Sequence, residues 1–122
     1  MGFLTDEQKI RLNNFVKFSK EFLGLKSTPK IVIQNGRKDL KTTANYDYTG
    51  SEKVIKINGK NRMLVDVMRS IAHEMVHHRQ FEQGKLSVRP PDIGGEIEDE
   101  ANAVAGQIIK LFSKEDQTIY DE

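Results

Sequence analysis

The stretch Met63-Leu64-Val65-Asp66-Val67-Met68-Arg69-Ser70-Ile71-Ala72-His73-Glu74-Met75-Val76-His77-His78-Arg79-Gln80-Phe81 decides how the rest of the chain is read. Leu64, Met68, Ile71 and Met75 recur at i, i+4, i+7 and i+11, the spacing of one face of an α-helix. At ~100° per residue, His73 and His77 project roughly opposite that stripe, with Asp66, Arg69 and Gln80 on their side. The predicted helix buries one face and turns a polar, histidine-bearing face elsewhere. A histidine kept only for packing belongs more naturally inside the apolar stripe.

His73-Glu74-Met75-Val76-His77 is an HExxH pentapeptide, and the chain has only one further histidine, His78. Side chains four apart on a helix share a face, so both imidazoles reach one ion at about 2.0–2.1 Å. Glu74 sits on the adjoining flank, where it can take a proton from an ion-activated water and hand it to a leaving amine. The bland alternative is a solvated face on which two histidines fall at this spacing by chance. The context speaks against it: the helix has the right polarity and is followed by a second helix rich in carboxylates.

Upstream, the pattern predicts a helix over residues 6–23. Thr5 and Gln8 are spaced as a capping box, Phe15, Phe18 and Phe22 form an apolar stripe, and Gly24 suits the position past the helix end. Lys30 to Gln34 is a β-branched run between Pro29 and Asn35-Gly36, a strand signal. Thr42 to Tyr48 and Glu52 to Asn58 are two more candidate strands, the second closed by Asn58-Gly59. Together they predict a small antiparallel or mixed sheet. Tyr46 and Tyr48 share one face; core packing with an exposed hydroxyl is the main reading, an oxyanion donor the lesser one. On the strand 52–58, Lys53 and Lys56 fit an edge protected from aggregation. Arg69 and Gln80 are substrate-contact candidates, and His78 a surface or ligand-supporting residue.

Downstream, residues 85–95 read as loop, with Arg89-Pro90-Pro91-Asp92 and Gly94-Gly95 excluding regular structure. A last helix follows over residues 96–112, acidic in its first turn as the helix dipole favours, with a polar tail from Ser113. A catalytic zinc needs a third protein ligand. Glu98 and Glu100 lie on opposite shoulders of this helix's apolar face and Glu96 lies farther off, so geometry alone leaves Glu98 and Glu100 both open. The element order predicts an α+β fold in a single domain, 1–122, with a cleft between the sheet and the last helix.

Composition sets outer bounds. The chain has 122 residues, 37% hydrophobic and 30% charged, with a formal net charge of +1. That balance offers no strong attraction to nucleic acid or anionic membrane. With no cysteine, thiolate metal sites and disulfides are excluded. No stretch approaches a membrane span and the N-terminal residues carry no signal-peptide core, so the expectation is a cytoplasmic protein. Oligomeric state is not readable.

The chain resembles the HExxH zinc metallopeptidases called gluzincins, and among these the compact, minimal zincins of the ImmA/IrrE type. Those proteins follow the HExxH helix with a helix of pattern E-x-x-A-N/D-x-F-A; here Glu98-Asp99-Glu100-Ala101-Asn102-Ala103-Val104-Ala105 stands in its place. Val76 replaces a usual Gly, Val104 a usual Phe, and Ile108-Ile109-Lys110-Leu111-Phe112 a Leu-Leu-x-Pro ending. The resemblance implies a zincin-like fold and a Zn2+ cofactor held by His73, His77 and Glu98. It implies Glu74 as general base and acid, and Asn102 as a residue supporting a ligating histidine. The implied activity is hydrolysis of peptide bonds in a protein or peptide substrate, with the strand 52–58 as an exposed edge to which the substrate backbone adds. The alternative is a zincin-fold module that binds metal or protein with little or no catalysis.

Overall fold

The computed structural model describes residues 4–36, 43–86 and 95–117. Three helices and three strands follow the order α1 (Asp6–Leu23), β1 (Lys30–Gln34), β2 (Ala44–Asp47), β3 (Val54–Asn58), α2 (Leu64–Glu82) and α3 (Glu96–Glu115). The α+β class read from the sequence is the observed one. Thr42, the Arg89-Pro90-Pro91-Asp92 run, Gly94 and the last five positions of the polar tail lie outside the described residues.

Helix α1 begins with the capping box. Gln8 N–H donates to Thr5 Oγ1 at 3.1 Å and Thr5 N–H to Gln8 Oε1 at 3.0 Å, satisfying two otherwise unpaired donors. It ends at Gly24, whose φ of 65° is the left-handed conformation that glycine adopts without strain. Its buried face differs from the phenylalanine stripe. Leu12, Phe15, Ser19 and Leu23 face the core, Phe18 is half-buried and Phe22 is exposed. Ser19 is tolerated inside because its hydroxyl donates to the Phe15 carbonyl at 2.8 Å. Phe15 and Phe18 both meet Phe112 of α3 edge-on, at centroid distances of 5.1 and 5.4 Å.

The sheet is mixed and ordered β1-β3-β2. β1 runs parallel to β3 with Ile31 opposite Ile55, and β2 runs antiparallel to it with Tyr46 opposite Ile55. This corrects the reading of residues 52–58 as an edge. β3 is the central strand, and Ile55 and Ile57 are both fully buried. The edge that borders the cleft described below is β2.

α2 is the axis of the fold, packed against α3, α1, β2 and β3. Its expected stripe Leu64, Met68, Ile71 and Met75 is buried, but so are Val65, Val67, Ala72 and Val76 around the helix. α3 continues through Glu115, three residues past the predicted end, because nothing in Ser113-Lys114-Glu115 breaks a helix. No helix among the described residues is long and apolar enough to cross a membrane.

Ile71 is 0% exposed and Ile10 60% exposed. Ile71→Ala removes packed methylenes and leaves a cavity, so urea unfolding of the variant should show a loss of ~2–5 kcal/mol. Ile10→Ala should stay within about 0.5 kcal/mol of wild type. Equal effects at the two positions would contradict this core.

Candidate metal centre

HExxH lies in the middle of α2, where a full turn of helix on either side holds the two imidazoles in place. His73 and His77 are one turn apart, their Nε2 atoms 3.2 Å from each other and their rings nearly perpendicular at 83°. The acidic start of α3 approaches this face. Glu98 Oε2 lies 3.0 Å from His73 Nε2, and Glu98 Oε1 lies 3.1 Å from His77 Nε2. Among the described residues, His73, His77 and Glu98 form a group that could hold a metal ion. Donors about 2.0–2.1 Å from a tetrahedral ion lie ~3.3–3.4 Å from one another; the two imidazole nitrogens are 3.2 Å apart, and each faces its own Glu98 oxygen at 3.0–3.1 Å.

The carboxylates that the sequence left open are thus separated by the structure. Glu100 turns to the other side of α3, where it accepts from Gln80 Nε2 at 2.8 Å and lies 3.9 Å from Lys85 Nζ. Glu96 is exposed. Asn102, one turn past Glu98, hydrogen-bonds the His73 side chain, the supporting position that the family pattern implies. Burial first, and then the neighbouring His77, hold the His73 pKa below its ordinary value despite the opposing pull of Glu98. A neutral imidazole is the form that ligates a cation.

Glu74 is 7% exposed and borders the same cleft. Burial, with Glu98 as the second cause, raises its pKa from 4.5 to about 8. A carboxyl poised near neutrality suits a group that must both accept and release a proton. The cleft has a volume of about 740 Å3 and runs between β2, the histidine face of α2 and the start of α3. That size is ordinary for a site that takes a small ligand or a short peptide segment.

Three sequence expectations change. Gln80 is fully buried and touches His77, Ile97 and Glu100, so it is not on the surface that a substrate meets. His78 is 1% exposed and is not a surface residue. Its Nδ1 meets the Tyr46 hydroxyl at 2.6 Å, and its Nε2 meets Ser27 Oγ at 3.0 Å and Glu82 Oε2 at 3.4 Å. The Tyr46 hydroxyl is thereby engaged on the core side, and burial pushes its pKa well above the usual tyrosine range. Tyr48 stacks on Tyr46 at 5.6 Å. Arg69 does border the cleft, half-exposed and 3.6 Å from Asp66.

Arg62 was not singled out in the sequence. Its guanidinium donates to the Asn58 and Asp66 carbonyls at 2.9 Å each and to Ser70 Oγ at 2.7 Å, fastening the end of β3 to the first turns of α2. Its only sequence signal is its place just after the Asn58-Gly59 turn.

Between pH 4.5 and about 8 the folded, metal-free chain keeps a proton on Glu74 that the unfolded chain has released. Stability from this group is therefore complete below the unfolded value and lost as pH rises through the folded one. Glu74→Gln, which never ionises, should match wild type at about pH 5 and exceed it at about pH 8–9 in chelator-treated protein, read by urea unfolding. A wild-type advantage at the higher pH would refute the assignment.

No family model, no curated protein and no solved structure matches the chain.

Proposed function

We propose that this protein is a zinc-dependent metallopeptidase with a minimal zincin-like fold, cleaving peptide bonds in a protein or peptide substrate. The observation that carries the reading is the convergence of two imidazole nitrogens and one carboxylate from a separate helix, with buried Glu74 on the same cleft. His73, His77 and Glu98 would hold the ion, and two imidazoles with one carboxylate suit zinc. Zinc bound there would supply Lewis acidity, lowering the pKa of water toward neutrality and polarising the scissile carbonyl.

The chain's own residues do the rest. Glu74 takes a proton from the attacking water, whose oxygen bonds to the carbonyl carbon. As the C–N bond breaks, Glu74 returns that proton to the nitrogen, leaving an amine and a carboxylic acid whose remaining proton passes to the amine or to solvent. His73 stays neutral and oriented through Asn102. Edge strand β2 flanks the cleft along its length, the wall against which an extended peptide can lie.

Purified protein should carry one zinc per chain, and His77→Ala should lose it. Glu74→Gln should keep the zinc while peptide cleavage falls about 10²–10⁴-fold, followed on a fluorogenic peptide library. Cleavage that survives Glu74→Gln removes this mechanism. Retained zinc with no turnover on any peptide replaces the enzyme by a metal-binding interaction module.

A further inference from the structure

Gln80 sits one turn beyond His77 on α2, and none of its surface reaches solvent. An interior amide is costly unless its polar atoms are engaged, and these are. Gln80 Oε1 lies 2.7 Å from His77 Nδ1. Gln80 Nε2 lies 3.0 Å from the Ile97 carbonyl oxygen and 2.8 Å from Glu100 Oε1.

These three contacts fix the direction of the hydrogen bonds. A main-chain carbonyl never donates, so the amide group facing Ile97 O must be the NH2. Its second hydrogen then meets the Glu100 carboxylate. The amide oxygen is left facing His77, and an oxygen there can only accept. In the neutral ring His77 Nδ1 therefore carries the proton, and Nε2 is the bare nitrogen. That Nε2 is the atom 3.1 Å from Glu98 and 3.2 Å from His73 Nε2. A free neutral histidine side chain favours the opposite form, with the proton on Nε2, so this environment reverses the intrinsic preference.

We propose that Gln80 and Glu100 are positioning residues: Glu100 orients the Gln80 amide, and Gln80 locks His77 as the Nδ1–H tautomer with its Nε2 lone pair turned to the metal centre. The purpose of the lock rests on the reading of that centre given above. The tautomer itself belongs to the metal-free protein, so the two can fail separately. Glu100, which the sequence left open as a ligand, acts on the site through two hydrogen bonds instead.

Long-range proton–nitrogen correlation spectra of the metal-free protein, taken where the imidazoles are neutral, report the tautomer directly. Wild-type His77 should show a protonated Nδ1 and a bare Nε2. Gln80→Leu keeps the bulk but removes the acceptor. Its His77 should shift toward the Nε2–H form, and zinc affinity by chelator competition should fall about 10–100-fold. The swapped pair Gln80→Glu with Glu100→Gln keeps an acceptor at His77 and a hydrogen bond between the helices, and gives up only the donation to the Ile97 carbonyl. It should retain the wild-type tautomer and most of the affinity, and it carries the test if Gln80→Leu does not fold. A wild-type Nε2–H tautomer, or Gln80→Leu with tautomer and affinity both unchanged, overturns the proposal. So does a folded swapped pair that has lost the Nδ1–H form. A wild type with the Nδ1–H form that binds no zinc upholds the lock and removes the metallopeptidase reading instead.

Discussion

Close docking of α3 against α2 is the constraint on which the rest of this structure depends. Two of the three converging donors come from α2 and the third from α3. Ala101 and Ala105, both buried, keep the facing side of α3 small, and Met75 and Val76 are fully buried on α2. Glu98 lies three residues before Ala101, on the same side of the helix. The apolar contact that closes the core thus also delivers the carboxylate. A cation held by this trio would cross-link two core helices, so its affinity and the stability of the domain are thermodynamically linked.

The C-terminal half of α2 shows how polar side chains survive in such a place. Within two turns, His77 points to Glu98, His78 to Tyr46 of β2, Gln80 to Ile97 and Glu100 of α3, and Glu82 to the Lys26 and Ser27 amides after α1. Each is matched by hydrogen bonds, which offsets the desolvation that burial imposes. The result is a helix bonded to three neighbouring elements by side chains that an apolar core could not have aimed so specifically. The tie through Tyr46 also holds a wall of the cleft against the helix that carries the histidines.

Much of this was visible in the residue pattern. The period of Leu64, Met68, Ile71 and Met75, the Thr5–Gln8 box and the Gly24 stop are local signals, and the observed elements follow them. What escaped was set by tertiary contact. Alternation in Val54–Asn58 reads the same for an edge strand and a central one, and Lys53 and Lys56 favoured the edge; only pairing with both β1 and β2 shows otherwise. Glu98 and Glu100 were equivalent on a helical wheel, because the wheel does not say which shoulder will face His73 and His77 and which Gln80. Gln80 and His78 were expected on a polar face, but α2 is enclosed nearly all round, so that face is interior too. Ser19 is buried where Phe22 was expected, its hydroxyl bonded to the Phe15 carbonyl, while Phe22 is exposed. The spacing of Gln80 from His77 was the one clue to its role, and spacing does not reveal an amide's orientation.

The strand order has a consequence for how the chain is made. Among the described residues β1 and β2 do not pair with each other; each pairs with β3, the last of the three to leave the ribosome. The nascent chain therefore holds two strands without their common partner until residues 54–58 emerge, and α2, which packs on β2 and β3, comes next. Sheet and cover assemble almost together, and the interval in which bare strand edges are open to a neighbouring polypeptide is short at ordinary elongation speeds.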